Sequence, residues 1–290
     1  MKTIIPMTMA LTVAAGAANA LSVTPNTNAT DLANALIGTG VSLVGAPTFT
    51  GGAVQAGTFT GGAAEFGINQ GVVLSSGDVS EIPGANATPT ETLGVGAASG
   101  ADLSTDVGTP GDGSIPGSND AAVLEFMFQF GDGSVGGDLS FGYVFASEEY
   151  IDFVDSDFND AFRLEINGSN VAFVNGDEVE VNTVNPNQNA GSYINNVPNT
   201  DGFPVAGRDI LADGLTTFLA SQMVSLSDGT HTARFIVADV EDSILDSFVA
   251  IQAGSFDPDM PEMDVVPVPA ALPLLASGIA GLALFRRRRT

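Results

Sequence analysis

The 290-residue chain contains no cysteine, no tryptophan and a single histidine, His231. Without cysteine there can be neither a disulfide framework nor a thiolate zinc site. One histidine leaves little for imidazole catalysis or soft-metal binding. A Ser-His-Asp triad would have to use His231, which lies between Thr230 and Thr232 at the start of a β-prone run and reads as an ordinary turn or strand residue. Basic residues are also scarce, 8 Lys and Arg against 34 Asp and Glu. Lys2 and the terminal run Arg286, Arg287, Arg288, Arg289 account for most of them, so the body holds only Arg163, Arg208 and Arg234. Such a surface repels nucleic acid and anionic lipid, which both need basic contacts. It suits bound cations, or salty water that screens the self-repulsion. The 35 glycines and 15 prolines stay below the share of roughly 25–30% that marks low-complexity chains. A hydrophobic fraction of 44% allows a real core, and no break in composition divides the body.

The two ends read as addresses. Lys2 gives a short positive start, residues 4–15 are mostly apolar, and Ala18-Asn19-Ala20 fits the small-residue cleavage rule. Residues 1–20 are therefore expected to be a secretory signal peptide. At the far end, residues 268–285 carry no charge and are followed by the four arginines. Eighteen helical residues rise about 27 Å, close to the roughly 30 Å of a membrane core. Arginines after the span should stay cytoplasmic. The expected organisation is a body over 21–256, an acidic, proline-bearing linker over 257–266, and a transmembrane helix with its Arg cluster within 267–290. Val266-Pro267-Val268-Pro269-Ala270, the apolar run and the Arg cluster together resemble the PEP-CTERM sorting signals of Gram-negative bacteria, in the variant named for Val-Pro-Leu-Pro-Ala, with Val268 in place of the Leu. That resemblance implies an exosortase-type processing enzyme as partner and export to the cell surface, often beside exopolysaccharide production. A plain single-span anchor is the alternative.

The body reads as strands. One helix is expected, capped at Thr30, with Asp31 in its first turn and a stop at Gly38. Elsewhere apolar residues alternate with polar ones and with Gly, Asn and Asp turns. Leu139, Phe141, Tyr143 and Phe145 share one face, as do Phe162, Leu164 and Ile166. Ala122, Leu124, Phe126, Phe128 and Phe130 form a longer run, joined by Val179-Val181 and Phe235-Ile236-Val237. Residues 71–74 and 248–251 look like buried strands. This period-2 pattern predicts an all-β fold, an antiparallel, jelly-roll-like β-sandwich with one short N-terminal helix. Thr48-Phe49-Thr50-Gly51-Gly52-Ala53 recurs as Thr58-Phe59-Thr60-Gly61-Gly62-Ala63, which suggests two neighbouring strands. Residues 80–120 are expected to form a long mobile loop.

The chemistry-bearing residues are carboxylates. Glu148, Glu149, Asp152, Asp155, Asp157 and Asp160 crowd one segment without a Lys or Arg among them. Asp239, Glu241, Asp242 and Asp246 form a second cluster whose nearest base in sequence is Arg234. Two carboxylates about 4 Å apart repel by on the order of 4 kcal/mol at an effective dielectric near 20. Close packing therefore requires a cation, protonation or exposure. A solvated acidic loop is the plain alternative, but Tyr150, Phe153, Phe158 and Phe162 interleave the first cluster and should pin it to the core. If the strands carrying both clusters are neighbours, their acids converge. Calcium, which takes six to eight oxygen ligands in irregular geometry, fits such a site better than magnesium. Asp155-Ser156-Asp157-Phe158-Asn159 starts like an EF-hand loop but has Asp160 at the sixth position and Ile166 at the twelfth. Gly111-Asp112-Gly113-Ser114 and Gly131-Asp132-Gly133-Ser134 are isolated and read as turns.

Phe145-Ala146-Ser147-Glu148-Glu149-Tyr150 with Phe158-Asn159-Asp160-Ala161-Phe162 resembles the signature of choice-of-anchor L domain proteins. Ala121-Ala122-Val123-Leu124-Glu125-Phe126, Asp201-Gly202-Phe203 and Ile236-Val237-Ala238-Asp239-Val240-Glu241-Asp242-Ser243 with Asp246-Ser247 are similar to further blocks of that family. The resemblance spans most of the body and implies a surface-anchored protein without an established catalytic activity. Matched to it, the candidate metal ligands are Glu148, Glu149, Asn159, Asp160, Asp239, Asp242 and Asp246; Asp152, Asp155 and Asp157 are extras of this sequence. Three functions remain open: a calcium-stabilised surface or matrix protein, a glycan hydrolase pairing Glu148 or Glu149 with Asp160, and an adhesive module whose ion bridges extracellular polysaccharide.

Overall fold

The structure, a computed structural model, describes residues 20–86, 111–197 and 206–256. The expected signal peptide, the linker, the C-terminal span and most of the long loop, residues 87–110, lie outside them. Among the described residues no helix is long and apolar enough to cross a membrane.

The chain opens with β1 (Ser22–Pro25), helix α1 (Ala29–Leu36), β2 (Val41–Thr50), β3 (Ala56–Thr60) and β4 (Gln70–Ser75). The middle carries β5 (Ser118–Phe130), β6 (Gly137–Leu139), β7 (Gly142–Ser147), β8 (Ala161–Ile166), β9 (Ser169–Asn170), β10 (Phe173–Val174) and β11 (Asp177–Glu180). It ends with β12 (Tyr193–Asn195), β13 (Gly214–Thr216), β14 (Leu219–Ala220), β15 (Val224–Leu226), β16 (His231–Val240) and β17 (Ser247–Gln252). The first sheet runs β1-β3-β4-β17-β7-β13-β12, with β14 also on β7. The second runs β10-β11-β8-β16-β5-β2, with β9 on β8, and β15 pairs with β6 in a small third sheet. All strand pairs are antiparallel, as the alternating pattern predicts.

The two large sheets share one apolar interior. Val72, Leu74, Tyr143, Phe145, Val249 and Ile251 from the first meet Leu124, Phe126, Phe162, Leu164, Phe235 and Val237 from the second. Aromatic rings tie the layers together, Phe141 to Phe235 at 5.6 Å and Tyr143 to Phe162 at 4.9 Å between centroids. The outer face of the first sheet is also buried, because Phe66, Ile68, Val79, Ile82 and Ile210 cover Val144, Ala146, Phe248 and Ala250. That second cover explains why residues 71–74 and 248–251 are apolar throughout instead of alternating.

Three sequence expectations are corrected. The helix is capped by Asn28, whose side-chain oxygen accepts from the Thr30 and Asp31 amides at 3.0 and 3.3 Å, so Thr30 is already helical. The repeated Thr-Phe-Thr-Gly-Gly-Ala segments do not pair with each other. The first ends β2, which pairs with β5 in the second sheet; the other ends β3, between β1 and β4 in the first. The chain crosses between sheets at residues 51–55, and there the Gln55 side chain accepts from the Gly52 amide and donates to the Ser76 and Asp120 carbonyls. Finally, β5 begins at Ser118, so the long loop ends before Asp120.

Phe235 is fully buried and contacts Phe126 and Phe141 at 6.0 and 5.6 Å. Phe235→Ala should cost about 3–5 kcal/mol and lower the melting temperature by roughly 2–4 °C per kcal/mol. A thermal melt checks this, and an unchanged midpoint would contradict a shared interior.

Candidate cation site

The apolar interior ends in a polar layer, and strand alternation explains it. On the first sheet, Leu74, Phe145 and Val249 face inward; two residues along the same faces stand Ser76, Ser147 and Ser247. On the second, Phe162 and Val237 face inward, and the next positions on those faces are Asp160 and Asp239. These three serines and two aspartates have no exposed surface. Glu149 and Asp246, from the turns after β7 and before β17, are buried beside them.

Hydrogen bonds lock part of this layer. Asp160 receives the Ser247 hydroxyl at 2.7 Å on one oxygen and the Val240 amide at 3.0 Å on the other. The Glu148 amide donates to the Asp246 carbonyl at 3.1 Å, so the two acidic segments lie side by side. Ser147 accepts from the Glu149 amide at 2.9 Å. The carboxyls of Asp239 and Asp246 differ: all four of their oxygens are buried without a hydrogen-bond partner, as is Oε2 of Glu149. Ser76 stands beside both aspartates and helps to hold their carboxyls down, while its hydroxyl also lies 3.2 Å from the Ser247 carbonyl.

Among the described residues no base compensates. Arg234 was the nearest cation in sequence, yet alternation puts it on the outer face of the second sheet, where it meets Asp112 at 3.0 Å, Glu165 at 3.3 Å and Glu125 at 3.6 Å. Arg163 pairs with Glu178 at 2.9 Å, and Arg208 donates to the Ala64 carbonyl. Burial accordingly dominates the titration of the layer. It pushes Asp160 up to about 7, although the Ser247 hydroxyl and Val240 amide hold it down. It carries Asp246 to about 8, with Ser76 opposing and the charges of Asp160 and Asp120 adding. Glu149 rises to about 10 through burial and then the charges of Asp160, Asp242, Glu148 and Asp213. Asp239 lies well above the ordinary carboxyl range, from burial and its neighbours Asp160 and Asp246.

The structure thus gathers Glu148, Glu149, Asp160, Asp239 and Asp246 at one end of the sandwich. Asp242 sits at its half-exposed lip, where it accepts from the Ile244 amide at 3.3 Å. Asn159 is engaged elsewhere: its Nδ2 donates to Glu180 at 2.8 Å and its Oδ1 accepts from the Asn182 amide at 2.8 Å. Asp152, Asp155 and Asp157 are exposed. Two acids of the neighbourhood escaped the sequence reading, Asp120 and Asp213, both buried. Asp120 could have been found by extending the run Ala122-Leu124-Phe126 two residues backwards. Among the described residues, no three His, Cys, Asp or Glu side chains form a group that could hold a metal ion.

The remaining candidates have structural roles. His231 packs against Phe128 at 5.6 Å, with its Nδ1 3.1 Å from Asn167 Nδ2 and its Nε2 3.0 Å from the Ser227 carbonyl. Asp112 and Asp132 close turns by accepting from the Ser114 and Ser134 amides, as expected.

Fold and site together define an antiparallel β-sandwich closed at one end by buried acids. The family model of the Choice-of-anchor L domain matches residues 22–257, and the chain belongs to that family. Membership implies an exported, surface-associated protein. No curated protein and no solved structure matches the chain.

Because folding raises these carboxyl pKa values, the folded state holds protons that the unfolded state releases above about pH 4. Without a divalent cation, stability should be fullest near that pH and fall as pH rises through about 7, 8 and 10. Melts in chelator at pH 5 and pH 9 should show a lower midpoint at pH 9. Equal midpoints would mean that the layer carries no protons.

Proposed function

We propose that this chain is an exported, non-enzymatic surface or matrix protein whose sandwich is braced by calcium at the acidic layer. The observation that carries this reading is the pair Asp239 and Asp246, buried with four unpartnered carboxyl oxygens and no arginine near them. Leaving buried carboxylates unpaired is costly, and a hard cation with oxygen ligands is the remedy that also suits a chain with no cysteine. Asp239, Asp246, Asp160 and Glu149 would hold the ion, with Glu148 and Asp242 nearby. Serine hydroxyls, backbone carbonyls and water would complete the shell, and the acids would have to draw together around the ion. Bound calcium would neutralise the layer and fix the turns after β7 and before β17.

The sorting-signal resemblance supports a setting at the cell envelope, with processing by an exosortase-type enzyme and residues 267–290 as the initial inner-membrane anchor. An adhesive or exopolysaccharide-associated role follows from that setting. Burial argues against the hydrolase alternative, since Asp160, Glu149 and Glu148 are at most 4% exposed and a glycosidic bond must reach its acid and its water. It argues equally against an ion that bridges sugar hydroxyls. Calcium here acts as a structural brace.

Extracellular calcium modules bind at about 0.1–1 mM. A hundredfold excess over the dissociation constant adds about 2.7 kcal/mol, or roughly 5–10 °C at the 2–4 °C per kcal/mol of a domain this size. Melts of the full chain with calcium and with chelator should differ by that amount at neutral pH. Identical melts would remove calcium from the account.

A further inference from the structure

His231, the single histidine of the chain, is held in one protonation state by the groups around it. It opens β16 on the face that carries Phe235 and Val237 inward, is 7% exposed, and packs on Phe128 and Phe130 at 5.6 and 6.4 Å. Its Nε2 lies 3.0 Å from the Ser227 carbonyl. A carbonyl only accepts, so this nitrogen carries the one proton of the neutral ring. Nδ1 is then bare, and it accepts from Nδ2 of Asn167 at 3.1 Å.

Asn167 cannot turn its amide round. Its Oδ1 accepts from the Thr232 amide at 3.0 Å, and its own backbone amide donates to the Thr232 carbonyl at 2.9 Å. It begins the tight turn between β8 and β9, where Asn167 and Gly168 take φ +52° and +77°, the left-handed pair of a type I′ hairpin. Reversing the side-chain amide would set its NH2 against the Thr232 N–H, and a proton on Nδ1 would set an N–H against that NH2. Either way one hydrogen bond is lost. The acids near this end are exposed: Asp228 in the turn before β16, Asp132 before β6 and Asp138 in β6. Asp132 accepts from Ser134, and Asp138 accepts from the Ser225 hydroxyl. Glu165 and Arg234, the nearest charges on β8 and β16, meet each other on the outer face. Among the described residues no ion pair includes His231. His231 and Asp239 stand near opposite ends of β16, about 26 Å apart at about 3.3 Å per residue, so the acidic layer is remote.

We propose that His231 and Asn167 form a pH-sensitive clasp, closed while the imidazole is neutral, that ties the β8–β9 hairpin to the start of β16 and opens when Nδ1 takes a proton. Histidine changes charge between about pH 5 and 8. Protonation leaves Nε2 on the Ser227 carbonyl but turns Nδ1 from an acceptor into a donor, so the contact that fails is the one to Asn167. Acid then loosens the hairpin end of the second sheet. The clasp needs no cation and is independent of the calcium reading.

The test is NMR of the full chain from pH 8 to pH 5, with calcium and with chelator. One histidine gives one set of imidazole signals, and the Asn167 side chain and the Thr232 amide report on the clasp. As the ring titrates, the Asn167 Nδ2 signals should shift with the same midpoint. Hydrogen exchange at the Thr232 amide, corrected for its intrinsic rate, should rise on the order of tenfold, the loss of about one hydrogen bond. Asn167→Asp keeps an acceptor for the Thr232 amide and offers a carboxylate to the protonated ring. In that variant the ring should titrate about one pH unit higher than in the wild type, and the Thr232 amide should stay protected at pH 5. In His231→Gln the protection of the Thr232 amide should no longer depend on pH. A wild-type ring that titrates while both reporters stay unmoved overturns the proposal, as does a ring that does not titrate in this range. An Asn167→Asp ring that titrates with the wild type, or a pH response of the Thr232 amide that persists in His231→Gln, overturns it as well.

Discussion

The structure depends on one constraint: negative side chains are packed into the end of an apolar interior with no positive side chain among the described residues to meet them. The three arginines of the body are engaged elsewhere, Arg163 and Arg234 in ion pairs and Arg208 on the Ala64 carbonyl. Burial then leaves two ways to remove the charge, protonation or a bound cation. The fold builds the site by continuing its own alternation. The positions that hold Leu, Phe and Val through the middle of the interior hold Ser on one sheet and Asp on the other at its end.

That arrangement joins folding to environment. Outside a cell, a domain without disulfides needs another source of rigidity, and an acidic layer filled by calcium, as proposed, would supply one where calcium is abundant. The layer spans elements distant in sequence: Ser76 after β4, Asp160 before β8, Asp239 in β16 and Asp246 before β17. Binding N but not U stabilises by mass action, so a cation that needs all these segments together favours the closed sandwich over any partly open form. The exposed acids of residues 152–157 are free of this demand and belong to the solvated surface.

Much of the fold was legible in the chain. The runs from Ala122 to Phe130 and from Phe162 to Ile166 alternate cleanly because one face meets the core and the other meets water or ion pairs. The helix was legible as well, although its cap was placed two residues late, since Thr30 and Asn28 are both good caps and only geometry separates them. The repeat containing Phe49 and Phe59 misled because local similarity does not say which sheet a strand joins. In the site, crowding without a base singled out two acidic segments, and the family resemblance narrowed them to Glu148, Glu149, Asn159, Asp160, Asp239, Asp242 and Asp246. Asp120 was missed because it reads as the last residue of the long loop, whereas β5 already begins at Ser118. Asn159 came from the family signature, which does not show that its side chain serves Glu180 and the Asn182 amide.

The central claim is that a cation joins the facing carboxyls of Asp239 and Asp246. A crystal structure of the protein grown in calcium tests it most directly. The account predicts a single strong peak between these residues, with carboxylate oxygens at about 2.3–2.6 Å. A structure with no ion between the two side chains at full calcium saturation would contradict it.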